Sequence, residues 1–527
     1  MATRYGDTVV FDRWDGGEYG RMHPSAAARA EKQMFTGTNV VRYRTGLIGP
    51  RPGLKAITIA SMPTGTIQGL GLAVNTTGTG PWFWVCIGGS FYRVDVGAGT
   101  VSSAYTGTGP ATITRPLADA YAGTTSYVAV QGEAPYLLNH VAASVTAITS
   151  DADGSVIAWY DVNNTFRLFA NSGNRVFFSS TYPGWTTWDP ASYFDVGTAL
   201  EITGLAGFRD GILISKASGE QFIYSGVPGA TVSTAGTIRR LSKAGGPRAQ
   251  AWGLTLEGNM QWYIGHRKDF PSSFNGALHA DLDWLNFTGG VAADDSTVTP
   301  GFRFLPIAYL GVDTFMVLSG QTGTGAANRM LEYSGGIFTY HTWGTNIDPW
   351  GVCLADNAAE AVGQSTKSML LGKGSTGAYY HYSPGLDRPG FTGDTLAQPG
   401  DASTTPLNAD LGGLVHWSED GSEIRPAEIV VLYRGWNTGS ATNNGFKVQV
   451  TSLNRSDPTN ATLGALANTE QTVVDIAGSS FSTSGTDARA VVIPTELWGT
   501  GFQVDINDLR GVAIDRVFVR LDSRTRP

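Results

Sequence analysis

Beyond residue 60 the chain alternates short apolar runs with turns rich in glycine or small polar residues. An apolar strand, a turn and a second apolar strand recur as "WFWVCIGGSFYRVD" from Trp82, "YVAVQGEAPYLLN" from Tyr127 and "FRLFANSGNRVFFSS" from Phe166. Further copies are "GILISKASGEQFIYSG" from Gly211, "FMVLSGQTGTGAANRMLEYSGG" from Phe315 and "SMLLGKGSTGAYYHY" from Ser368, with a degenerate "NMQWYIGHRKDF" from Asn259. Period-two alternation with these turns predicts antiparallel hairpins. Successive units start about 40 to 55 residues apart, the spacing of four-stranded propeller blades. One such unit cannot bury both faces alone, so a closed ring of six or seven blades over 61–385 is the expected architecture. A run of unrelated hairpins in two sandwiches is the alternative.

The flanks read differently. "HPSAAARAEKQMF", residues 23–35, predicts a short helix with Ser25 as N-cap after Pro24. Residues 1–60 thus form an N-terminal arm with a helix and an Arg51-Pro52-Gly53 turn. Residues 386–415, rich in Pro and Gly without apolar period, read as a linker or long loop. Over 416–527 alternation returns in "AEIVVLYRGW", "GFKVQVTSL", "ARAVVIP", "GFQVDI" and "RVFVRLD", a small antiparallel β-sandwich. The fold class is all-β.

Composition agrees: 69 Gly, 14 Trp, 20 Tyr and 23 Phe suit tight turns and half-buried pleated surfaces. Cys86 and Cys353 each sit in an apolar run, and two buried thiols fit better than one long-range disulfide. No basic-then-apolar leader pattern opens the chain and no stretch approaches a membrane span, so assembly in a cytoplasm is expected.

Catalytic templates fail by spacing. No serine carries glycine at both minus two and plus two, and neither "GQSTKS" at 363–368 nor "GKGS" at 372–375 has the Gly-Lys-Ser/Thr order of a phosphate loop. "TSDADGSVIAWYD" imitates a calcium loop, but Thr149 and Tyr160 stand where carboxylates are required, so it reads as an Asp-Gly turn. The seven histidines never fall at metal-ligand spacing. "SDADG" and "SEDG" break the Ser-x-Asp-x-Gly-x-x-Trp box of sialidase-type propellers, and no carboxylate pair stands out among 44 acidic residues. The expectation is no catalysis, no cofactor and no metal. The net charge of -8 lacks the broad basic face of a duplex-binding domain.

Within that acidic chain the opening is basic: residues 12–55 hold eight basic and four acidic side chains. Gly16-Gly17, the short helix, Asn39 before alternating apolar and basic residues, Gly46 and then "RPG" at 51–53 resemble the opening of tail hub and nozzle proteins of tailed bacteriophages. "FRLFANSGNRVFFSSTYPGWTTWDPASYFDVG" and "ITGLAGFRDGILISKASGEQFIYSG" resemble later blades of that family, so the likeness spans about residues 10–230. It implies a virion structural protein, assembled in the host cytoplasm. Copies would form a ring (a hexamer is expected) beside neighbouring tail proteins, around a channel through which genomic DNA passes without specific binding. Arg42, Arg44 and Arg51 are then candidates for pairing with carboxylates of a neighbour. The insert at 279–301, with Asp281, Asp283, Asp294 and Asp295 and no basic residue, is the candidate acidic counterpart. Two other readings stay open: a receptor- or glycan-binding tail tip using exposed Trp and Tyr, and a propeller glycosidase.

Overall fold

The recurring units fold as hairpins because their turns meet the twist of the strands. In the first, Trp82–Ile87 and Ser90–Asp95 are joined by Gly88 and Gly89 at φ 57° and 78°, the two positive values that a tight hairpin turn requires. Ile87 pairs with Ser90 across this turn. Residues of Trp82–Ile87 are buried on both sides, so the strand reads as one apolar run.

A computed structural model describes 3–5, 8–12, 36–42, 47–50 and 54–57 of the opening segment, most of 59–113, and 124–254 apart from 163–164, 210 and 229–235. Beyond these it describes strands between 261 and 382, and 409–524 apart from 419–421, 436–444, 454–468, 476–487 and 511. Every regular element among the described residues is a strand. The expected helix at 23–35 lies outside them.

Each repeated unit supplies the second and third strands of a four-stranded antiparallel arrangement. The first sheet runs Ile67–Ala73, Trp82–Ile87, Ser90–Asp95, Thr100–Thr106, and the third runs Ile157–Val162, Thr165–Ser172, Arg175–Ser179, Trp188–Asp195. First strands of most successive sheets lie side by side, and Pro349–Asp356 of the last returns to Ile67–Ala73 of the first. That last sheet takes its fourth strand from the opposite end of the sequence: Leu54–Ile57 pairs antiparallel with Tyr379–Tyr382.

The remaining strands build two larger sheets. One has the order Thr3–Tyr5, Thr8–Phe11, Val512–Arg524, Glu423–Gly435, Ala488–Pro494, with the hairpin Val40–Arg42/Ile48–Pro50 joined at Ile514. The other extends the sixth four-stranded set, because Thr36–Thr38 pairs parallel with Ile337–Thr342 and antiparallel with Asp410–Trp417. Asp410–Trp417 is followed by Gly501–Arg510, Gly445–Leu453 and Thr469–Asp475. One apolar core lies between the two, with Val9, Phe11, Val431 and Val519 from the first and Leu411, Val448 and Val504 from the second.

Three expectations are corrected here. Residues 1–60 are not a separate arm, since their described strands enter three sheets. The segment 386–415 contains strand from Asp410 onward; Gly412 and Gly413 carry a register shift between Leu411 and Leu414 that hides the period in sequence. His279–Asp281 is likewise a strand, paired with Ser272–Phe274, and not part of a loop.

Gly49 shows how tightly the opening hairpin is seated. A Cβ there would lie 2.7 Å from Ala513 Cβ and 3.1 Å from Ala513 Cα, and a backbone carbon cannot move aside cheaply. Gly49→Ala is therefore expected to cost about 1–3 kcal/mol. Urea unfolding of the full chain checks this; an unchanged midpoint would mean the hairpin is not held as described.

Candidate functional site

The turn "STYPGWTTW" after the third strand of the third sheet gathers aromatic rings on one face. It is held by backbone bonds from Gly184 N to Thr181 O (2.7 Å) and Thr187 N to Gly184 O (3.0 Å). Two donors converge on one carbonyl: Tyr182 N (3.0 Å) and Trp185 Nε1 (2.9 Å) both bond Phe166 O. Trp188 Nε1 in turn donates to Trp185 O at 2.9 Å. With their polar edges satisfied, Trp185 and Trp188 are buried, while the Tyr182 ring stays 38% exposed.

The rings touch in series. Tyr182 meets Trp185 edge-on at 4.9 Å, Trp185 meets Tyr127 of the second sheet edge-on at 5.8 Å, and Trp159 stacks on Phe166 at 5.8 Å. Trp159 and Phe166 are half-buried. Burial pushes the Tyr127 phenol above its ordinary range. On the other face of the third sheet, Arg167 Nη1 donates to Ser179 O at 2.6 Å, and its guanidinium lies over Phe178. Among the rings of this turn, that of Tyr182 is the one open to stacking from outside.

His140, between the first and second sheets, has the residue type for acid–base chemistry but not the freedom. Its Nδ1 accepts from Val74 N at 2.9 Å, which leaves Nε2 as the protonated nitrogen facing Ser126 Oγ at 2.8 Å. The ring is fully buried, and Arg93 Nη1 bonds the His140 carbonyl at 2.6 Å. Burial and then the Arg93 charge push the imidazole down to about 4. It is a neutral pin between sheets.

Asn171 works similarly. Its Oδ1 accepts from Val156 N (3.1 Å), its Nδ2 donates to Ile202 O (3.1 Å), and its carbonyl accepts from Gly154 N (2.7 Å). The calcium lookalike at 149–160 is thus a turn bonded to its neighbours, with Asp153 O accepting from Gly132 N at 2.7 Å. Cys86 is a buried thiol raised to about 12 by desolvation. The side chain of Cys353 lies outside the described residues.

None of the residues singled out as partner contacts has a described side chain. Arg42 closes the strand Val40–Arg42 opposite Ile48 and Asp281 ends His279–Asp281 opposite Ser272. Arg44, Arg51, Asp283, Asp294 and Asp295 lie outside the described residues altogether. The aromatic face was not picked out as a site, although its Pro-x-Trp turn carries it in the sequence.

No protein-family model matches the chain, and no curated protein matches it. Similar solved structures include a chain of the mitotic checkpoint complex, at 11% identity and TM-score 0.39, over 63% of this chain and 94% of that one. Another is the Cps50 (Swd1) β-propeller domain of Myceliophteria thermophila, at 9% identity and TM-score 0.40, over 62% and 99%. Likeness at this level says nothing about function.

The His140 pin has a pH signature. Below about 6.5 the unfolded imidazole takes up a proton that the folded one refuses until about 4. Its contribution is intact above pH 6.5 and declines as pH falls toward 4, by about 3 kcal/mol in all. His140→Gln should be less stable at pH 7 and lose this part of the acid sensitivity. Urea midpoints of both proteins at pH 7 and pH 4.5 test it, and parallel losses would refute the pin.

Proposed function

We propose that this chain is a structural component of a bacteriophage tail (hub, nozzle or tail tip), in which several copies form a ring around the channel of DNA exit. In this reading the four-stranded sheets are the seven blades of a β-propeller and the two C-terminal sheets are a β-sandwich. The observation that supports it most is the part played by the opening motif. Asn39 stands at φ 58°, in the left-handed region that asparagine tolerates better than most residues, where the chain leaves one sheet for another. After Arg51-Pro52-Gly53 the chain enters Leu54–Ile57, the strand that completes the last four-stranded sheet. Asn39 thus stands, and the segment after the RPG motif enters, where strands from distant parts of the chain meet.

The charge fits passage of a polyanion. Six copies at -8 each sum to -48, and a neutral to acidic wall repels phosphates that Lys and Arg would hold through counterion release. Screening confines that repulsion to about 8 Å from the wall at physiological salt.

A second reading, contact with a host glycan or receptor, is favoured by the aromatic face, since an exposed Tyr182 over buried tryptophans can stack on a sugar ring. Tyr182→Ala would then weaken binding of the protein to host cells about tenfold, roughly 1.4 kcal/mol, at unchanged thermal stability. Equal binding by the variant would remove this reading.

For the leading reading, electron microscopy of purified virions carrying a label on this chain should show a ring at the tail. In solution, the protein should leave duplex DNA unbound at low salt. A label away from the tail, or tight DNA binding that weakens steeply with salt, would overturn it.

A further inference from the structure

The outward face of the sheet that holds Val512–Arg524 carries an apolar row, ending in the buried Val10, where an antiparallel sheet facing water is ordinarily polar. Its inward residues Ile429, Val431, Val517 and Val519 belong to the core. Alternation turns the residues between them outward, and register sets Val492, Val430 and Phe518 in one row across three strands. The next row begins with Ala490 and Leu432. Val492 is 56% exposed, among the largest exposures of any large apolar side chain among the described residues. Val430, Leu432 and Phe518 are partly exposed. The patch reaches Ala488–Pro494, which among the described strands pairs on one side only.

Charges rim this patch, each answered within the sheet. Arg520 meets Glu428 at 3.5 Å, Arg434 and Arg516 share Asp515 at 3.8 and 3.6 Å, and Arg425 meets Glu496 at 3.3 Å as well as Asp522. Asp515 reaches both arginines because the pairing shifts there: Leu432 faces Arg516 and Tyr433 faces Ile514. Four arginines and four carboxylates leave the rim at zero, in a chain of net charge -8. An apolar centre inside a polar rim is the anatomy of a protein interface.

We propose that this face is where a second copy of the chain docks, an inference that rests on the ring reading above. Identical acidic chains repel one another over most of their surface. A neutral face with an apolar centre is where two of them can close without like charges meeting, and it offers nothing to attract a strongly charged partner.

The test is the assembly state of the full chain, followed by sedimentation velocity over a wide concentration range. Val492→Arg is the probe, because an exposed side chain can be exchanged without disturbing the core. Val473→Arg is the control: Val473 is 63% exposed on the other large sheet. Wild type should assemble with concentration, Val492→Arg should need at least about tenfold more protein, and Val473→Arg should match wild type. If wild type assembles and Val492→Arg assembles equally well, the docking face is wrong while the ring reading survives. If wild type remains a monomer at every concentration, both fall. If Val492→Arg assembles normally yet is lost from virions, the occupant is another tail protein and the proposal is overturned.

Discussion

Backbone pairing of one short segment, Thr36–Ile57, holds the two halves of the molecule together. Thr38 bonds into the sixth four-stranded set on one side while Thr36–Thr38 bond Asp410–Gly412 on the other. A few residues later Ile48 meets Ile514, and Leu54–Ile57 then completes the last four-stranded sheet. Peptide groups buried between strands must be paired, so none of these three sheets is complete without the segment. Asn39 makes the first change of sheet feasible by adopting a positive φ while buried.

Between neighbouring four-stranded sheets the apolar contact is supplemented by a few buried polar groups with all partners inside the protein. His140 joins the first two sheets, and Asn171 joins the third to the loop before it and the sheet after it. Lys216 places its ammonium on the carbonyls of Val196 and Thr198, and burial holds its pKa below the usual lysine range. Apolar faces alone slide with little penalty. A buried donor left without its acceptor is costly, so these groups fix the orientation of one sheet on the next.

The sequence pattern was most readable where burial is two-sided. Trp82–Ile87 and Gly211–Lys216 are buried throughout, so their runs stand out, and each marks the middle of a sheet. Outer strands such as Ser144–Ala147 and Thr237–Ser242 are largely exposed and polar, and nothing in their composition separates them from loops. Pairings between distant parts of the chain were illegible, because a strand such as Thr8–Phe11 carries no mark of its partner. The aromatic face lay half in view: "YPGW" signals a turn with a buried tryptophan, but Trp159 comes to it through pairing within the third sheet, and Tyr127 only through the packing of the second sheet on the third. The apolar outer row of Val492, Val430 and Phe518 was hidden for a related reason, since register across three strands is needed to see it.

The pairing of Val9 with Val519 sets an order of events during synthesis. Thr8–Phe11 leaves the ribosome long before the strand it bonds, Val512–Arg524. Leu54–Ile57 likewise waits for the distant Tyr379–Tyr382. Most of the intervening sheets have their own local hairpins and can form as they emerge, whereas Thr8–Phe11 and Leu54–Ile57 each wait for a partner strand from far along the chain. Contacts of such long sequence separation form slowly, and unpaired edges invite association with other nascent chains. Closure of these sheets therefore comes late in folding, and the yield in a cell depends on how well the early strands are kept apart until their partners are made.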